Sequence, residues 1–266
     1  MNTVKYNNLF SVDCDNKYQS KSTRTTYKYC VLKFLKHFNY YDRPKEIPNQ
    51  KIKEWLLTFD TLNTRKQMLC SINAFYKLTA GMPKKIKSIP YPRKEKKLPR
   101  VIDKEFLLNK ISKIKNLKHK AIISLAYSVG LRVSDVINLN IKDIDSNRMI
   151  INLRNGKGQK DRIVPLSNHI LSLLRDYFKE YKPEIYLFNG QFSKQYTTGS
   201  CNKIVKKYIG SNEHFHTLRH SSATSMLEAG TDLAIIKSIL GHTNIKTTMI
   251  YTHISNEHLK KAITPL

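Results

Sequence analysis

Acidic residues are scarce, cysteines few and long apolar runs missing from this 266-residue chain. Asp and Glu total 20 against 47 Lys and Arg, which leaves a formal charge of +27. Residues 1–100 hold 22 Lys/Arg and 7 Asp/Glu, and the remainder 25 and 13, so the excess is spread along the chain. A single small acidic substrate needs only a few cations. A field this extended suits a long polyanion, with nucleic acid ahead of an anionic membrane surface. No run of ~18 apolar residues occurs, which excludes a spanning helix and predicts no membrane partner. The start, Met1-Asn2-Thr3-Val4-Lys5-Tyr6, has no apolar signal-peptide core, and the expected location is cytoplasmic. Cys14, Cys30, Cys70 and Cys201 form no Cys-x-x-Cys pair, which disfavours a zinc ribbon or a disulfide framework.

What is present is regular helical patterning over a length that suggests roughly two domains. Tyr27, Cys30, Val31, Phe34, Leu35 and Phe38 fall on one helical stripe, and Ile52, Trp55, Leu56 and Phe59 repeat it after Pro44 and Pro48. A third helix is expected from an N-cap near Asn63 through Tyr76, stopping at Gly81. Residues 1–82 therefore predict a helical domain. Residues 83–100 carry Pro83, Pro90, Pro92 and Pro99 among eight Lys/Arg, and predict an extended basic linker following phosphates. Residues 101–266 open with Asp103 as N-cap and an apolar helix closed by Gly130. Met149–Leu153 and Arg162–Pro165 then predict a β-hairpin around a basic, glycine-punctuated turn. Helices are expected over 170–178, 202–208, 219–228, 232–240 and 244–251, with a last amphipathic piece over 257–263 in a tail spanning 254–266.

Four segments carry candidate chemistry: Gly130-Leu131-Arg132-Val133-Ser134-Asp135, the hairpin lysine Lys157, His216-Thr217-Leu218-Arg219-His220, and Leu240-Gly241-His242 followed by Tyr251. Singly, each has an ordinary structural explanation. Together and in this order they resemble the tyrosine recombinase family, which includes phage integrases and Xer recombinases. Gly156-Lys157-Gly158-Gln159-Lys160-Asp161-Arg162-Ile163-Val164-Pro165-Leu166 also looks like that family's hairpin. The resemblance covers residues from about Leu98 onward and extends more loosely to the first domain. It implies a mainly α fold with a small antiparallel β-sheet: a helical, SAM-like core-binding domain followed by an α+β catalytic domain. Asp135 stands where many members have Glu.

The chemistry requires these residue types. Cleaving a phosphodiester without metal needs neutralisation of a transition state with extra negative charge, and two planar guanidinium forks can supply it. Arg132 and Arg219 are the expected clamp, with Tyr251 the nucleophile that forms, as the resemblance implies, a 3′-phosphotyrosyl intermediate. Lys157 is the expected general acid for the departing sugar oxygen. The resemblance also implies that His216 assists proton movement at the nucleophile and that His242 donates a hydrogen bond to phosphate. Asp135 is the supporting residue, expected to orient the guanidinium groups. Lys94, Lys96, Lys97, Arg100, Lys160 and Arg162 are the expected DNA contacts. No metal or cofactor is expected: Arg219 among His214, His216 and His220 would repel a cation, and the hairpin lacks the setting of a nucleotide-binding loop.

The resulting expectation is a site-specific DNA recombinase, independent of metal and ATP, acting on duplex DNA with specific recombination sites. The family likeness implies a homotetramer on two sites, a monomer or weak oligomer in the free state, accessory DNA-bending proteins, and a nucleoid-associated location. Two alternatives share parts of the signature: a type IB topoisomerase-like nicking and relaxing enzyme, and a catalytically silent DNA-binding accessory protein.

Overall fold

The computed structural model describes residues 2–93, 98–154, 161–191 and 193–253. The chain divides into two compact units, Met1–Lys96 and Lys97–Leu266.

The first unit is built from α1 (Thr3–Lys17), α2 (Lys21–His37), α3 (Asn49–Leu57) and α4 (Leu62–Leu78). Side chains of Ser20 and Thr61 accept from backbone N–H groups three residues on and start α2 and α4, so the third expected helix begins before Asn63. The expected stripe on α2 is real: Cys30, Val31, Phe34, Leu35 and Phe38 are buried. Phe34 meets Trp55, Phe75 and Tyr76 in edge or tilted contacts with centroids 5.7–6.2 Å apart. The Tyr76 hydroxyl donates to the Pro44 carbonyl at 2.8 Å, which removes the cost of burying it.

Two features of this unit differ from expectation. Helix α1 carried no apolar stripe because it buries only Phe10 and Cys14, while Val4, Leu9 and Val12 face outward. The segment read as the start of a linker belongs to the core. Ile86 and Ile89 are buried in it, and the Asn49 amide donates to the Lys85 carbonyl and to Ser88 Oγ, both at 2.9 Å. Two apolar anchors and an amide clamp outweigh the local pull of proline and lysine toward extended chain.

The second unit opens with α5 (Lys104–Ser112), capped by Asp103 as expected. Helix α6 (Leu117–Ser128) buries every residue from Ala121 to Ala126, with α8 (Asn168–Tyr181) and α10 (Phe215–Glu228) packed on it. Between α7 (Val133–Asn138) and α8 lies an antiparallel sheet in the order β1 (Ile144–Asp145), β2 (Ile150–Leu153), β3 (Arg162–Pro165). In β2, Ile151 and Leu153 point inward while their neighbours are half-exposed, and Ile151 faces the buried Val164 of β3. The two-residue β1 was too short to show alternation. Helices α9 (Thr198–Tyr208), α10 and α11 (Leu233–Leu240) complete the unit, followed by 3-10 turns at Ile245–Thr247 and Met249–His253 where one helix was expected. Helix α10 begins a turn earlier than expected, so His216, Arg219 and His220 share one helix at i, i+3 and i+4 and therefore one face. Among the described residues, no helix is long and apolar enough to cross a membrane.

Candidate active site

Two arginines and a tyrosine gather where the turn after α6 meets the end of α11. Gly130 makes that turn at φ +61°, and a Cβ on it would stand 2.6 Å from Leu240 Cδ2, so the close approach requires glycine. Arg219 is 1 % exposed. Its Nη1 donates to the Gly130 carbonyl at 2.7 Å and its Nη2 to the Leu240 carbonyl at 2.6 Å. Arg132 stands at the N-cap of α7 and donates from Nη2 to the Gly241 carbonyl at 2.9 Å. Three backbone carbonyls thus fix two guanidinium groups whose sequence positions lie 87 residues apart.

Burial first, and the neighbouring Arg132 cation second, push Arg219 down to about 10. Burial also lowers Arg132. Two partly desolvated cations held in one place are relieved by a bound anion, and their planar forks match phosphate oxygens. Arg132, Lys237, Gly241, His242 and Thr243 line an open cavity beside them. Lys237, in the last turn of α11, was not anticipated from the motifs; its i−4 spacing from Gly241 is the signal that would have found it.

His242 follows Gly241, which ends α11 in the left-handed region at φ +62°. Its Nδ1 lies 2.9 Å from Thr248 Oγ1, a buried hydroxyl that fixes the ring. Burial, together with Arg219 and Arg132, pushes this imidazole down to about 4, so it is neutral near pH 7. Tyr251, on the turn Met249–His253, is 2 % exposed and packs with Ala223, Leu227, Ile236 and Leu240. Its ring runs nearly parallel to that of His242, at 15° and 6.4 Å between centroids. Burial raises its hydroxyl above the ordinary phenol value, and the Arg219 and Arg132 cations oppose that rise.

Arg132, Arg219, His242 and Tyr251 are therefore brought together. His216 is exposed, with its ring centroid 4.6 Å from that of His220. An imidazole hydrogen-bonded to Tyr251 is that of His220, whose Nδ1 lies 3.0 Å from the phenolic oxygen. His220 stood inside the candidate segment His216-Thr217-Leu218-Arg219-His220 but was given no role beyond a rejected metal motif. Asp135 supports Arg132 differently from expectation: its Oδ2 accepts from the Arg132 backbone N–H at 3.0 Å, while its guanidinium partner is Arg162. Arg162, expected on DNA, lines the same open cavity as Arg132 while pairing with Asp135 and donating from Nε to the Ile239 carbonyl at 3.0 Å. Its position on β3 brings the side chain inward across the end of α11, which the hairpin's basic texture did not reveal. Arg100 pairs with Glu213 at 2.9 Å while two-thirds exposed. Lys94, Lys96, Lys97, Lys157, Lys160 and the 254–266 tail lie outside the described residues. Among the described residues, no group of three His, Cys, Asp or Glu side chains is arranged to hold a metal ion.

Comparison with known proteins finds recombinases similar to this chain. The phage integrase family profile matches residues 103–258. Tyrosine recombinase XerA of Pyrococcus horikoshii is 33% identical over 254 residues, covering 92% of this chain and 87% of that protein. The crystal structure of the XerH site-specific recombinase bound to difH substrate, in a pre-cleavage complex, superposes with TM-score 0.71 at 27% identity, covering 90% of this chain and 78% of that one. The XerH post-cleavage complex with a palindromic difH substrate superposes with TM-score 0.76 at 22% identity, over 97% and 94% of the two chains.

Proposed function

The chain belongs to the phage integrase family of tyrosine recombinases, which are site-specific DNA strand transferases, and from that membership we propose the roles of its residues. Arg132 and Arg219 bind the non-bridging oxygens of the scissile phosphate and neutralise charge that grows in the transition state. Tyr251 Oη attacks phosphorus, forming a 3′-phosphotyrosyl bond and releasing a 5′-hydroxyl, and Lys157 protonates that departing oxygen. His242 donates a hydrogen bond to a phosphate oxygen, with its ring oriented by Thr248, and His216 assists at the rim. The covalent link retains the bond energy, so rejoining needs neither ATP nor a metal.

The observation that carries this reading is the shared anchoring of Arg132 and Arg219 on Gly130, Leu240 and Gly241, with the Tyr251 hydroxyl inside the field of both cations. Lys94, Lys96, Lys97, Arg100 and Lys160 serve the duplex backbone, where counterion release makes binding salt-dependent. Arg162 is assigned to the scaffold. Exchange proceeds in a homotetramer on two DNA sites, with accessory bending proteins as further partners and the nucleoid as the place of action.

The test is a duplex site carrying a nick just downstream of the cleavage position, so that the released fragment diffuses away. The expected result is a covalent protein–DNA adduct in EDTA, and recombinant products on paired intact sites. Tight site binding with no adduct would replace this reading with a DNA-binding accessory protein. Relaxation by a monomer without recombinants would make it a nicking and relaxing enzyme.

A further inference from the structure

The phenolic proton of Tyr251 must leave the oxygen as that oxygen bonds to phosphorus, and the structure restricts where it can go. Tyr251 is 2 % exposed in the free protein, which leaves little solvent at Oη to take the proton. His220 Nδ1 lies 3.0 Å from Oη, with ring centroids 5.7 Å apart, a direct hydrogen-bond path. Helix α10 places the His220 side of this contact, because His220 follows Arg219, whose guanidinium is held by two backbone carbonyls. Resting on the recombinase reading above, we infer that His220 is a catalytic residue: the general base that takes the Tyr251 proton during cleavage and returns it during rejoining.

The step balances. As the Oη–P bond forms, the O–H electron pair stays on Oη and the proton passes to Nδ1. The P–O5′ bond breaks with its electron pair on O5′, which receives a proton from the general acid. In rejoining, O5′ loses its proton to that same acid, now the base, and His220 Nδ1–H protonates the leaving phenolate. Tyr251 therefore needs no separate source of protons in either direction.

Electrostatics favours this role at the right moment. In the free protein, burial, His216 and Arg219 hold the imidazole near 4, so the ring is neutral, and the proposed tautomer puts its lone pair on Nδ1, facing the phenol O–H. Phosphate bound at Arg132 and Arg219 supplies negative charge that offsets the Arg219 cation, and the growing charge of the transition state does so further. The imidazolium is thereby stabilised only once substrate is in place. The base is weak when idle and strengthened by the DNA it acts on. His216, whose ring stands 4.6 Å away at 80°, supports the His220 ring from the exposed side.

The experiment compares single-turnover adduct formation on the nicked substrate by wild type, His220→Asn and His220→Gln. Asparagine keeps an acceptor near the Nδ1 position and cannot carry the proton. The expected result is adduct formation slower by roughly 10²–10³ with unchanged site affinity. A 5′-bridging sulfur at the leaving position, which needs no acid, should restore a Lys157→Ala variant and leave the His220 variants slow. Adduct formation by His220→Asn within about threefold of wild type, or rescue by the sulfur, would overturn the assignment. A measurement on the unaltered protein guards against misfolded variants: histidine ¹⁵N spectra should show Nδ1 of His220 unprotonated. A protonated Nδ1 donating to the phenol oxygen would equally overturn it. Failure of wild type to form any adduct is a separate outcome and would strike the recombinase reading itself.

Discussion

Arg162 and Asp135 form a buried ion pair at 2.5 Å, with 10 % and 4 % of their side chains exposed, and through it three pieces of the site are tied together. Arg162 comes from β3, and its Nε also holds the Ile239 carbonyl at 3.0 Å. A Cβ on Gly241 would stand 2.9 Å from Arg162 Cδ, so the arginine stem lies directly against the turn whose carbonyl holds Arg132. Asp135 in turn caps the Arg132 backbone N–H. The pair is a brace behind the phosphate clamp.

Removing one half of that brace strands the other. Arg162→Ala leaves a buried carboxylate without its cation and is expected to cost about 3–5 kcal/mol of folding stability. Asp135→Asn combined with Arg162→Met should recover part of that loss, because neither charge is then buried alone. Denaturant unfolding of Arg162→Ala and of the double variant checks both statements. An Arg162→Ala variant that melts like wild type while binding DNA more weakly would return Arg162 to the DNA surface.

Much of the clamp was legible because arginine, histidine and tyrosine appear in a fixed order whose chemistry is specific. The α2 stripe and the Asp103 cap were legible because they are local. The brace was not, since nothing in the hairpin sequence says whether Arg162 turns to solvent or across the end of α11. His220 was overlooked for a related reason: its partner lies 31 residues away and is chosen by the packing of the turn Met249–His253 on α10. Ile86 and Ile89 were hidden by the lysines and prolines around them. Helix α1 was silent because a peripheral helix that buries two residues needs little periodicity.

Lysine is a poor replacement at either position of the clamp. Arg219→Lys retains charge but offers one nitrogen where two carbonyls, Gly130 and Leu240, must be served, and leaves a buried acceptor short of a partner. The expected outcome is a loss of about 1–3 kcal/mol in stability together with a severe fall in adduct formation. Arg132→Lys, at a half-exposed position, should lose activity comparably with a smaller change in melting. Paired melting curves and nicked-substrate assays separate the two. Near-normal cleavage by Arg132→Lys would remove that residue from the clamp.

Stability should fall on mild acidification. His220 and His242 are both held near 4, below the usual 6.5, and burial lowers His119 in the same direction. Between those values the unfolded chain binds protons that the folded protein does not, so the free energy of unfolding rises with pH through this window. The contribution is complete above about pH 6.5 and is lost as pH falls toward 4, on the order of 1–3 kcal/mol for each of the two imidazoles. Melting temperatures from pH 7 down to pH 4.5 should decline, and His242→Gln should flatten the slope. A wild-type profile that is flat across this range would contradict neutral burial of these rings.

Tyr251→Phe isolates the nucleophile from the packing around it. The ring fills a cluster with Ala223, Leu227, Ile236 and Leu240, and phenylalanine keeps that surface in place. What disappears is one oxygen and its hydrogen bond to His220, a change of about 0.5–1.5 kcal/mol. Folding and site affinity should therefore survive while the covalent adduct vanishes completely, since phenylalanine has no atom able to bond phosphorus. The phosphate clamp is untouched, so the variant should hold the DNA with its scissile bond intact. Persistence of an adduct would mean that another side chain attacks phosphorus. Loss of binding together with the adduct would mean that the hydroxyl organises the fold around the site.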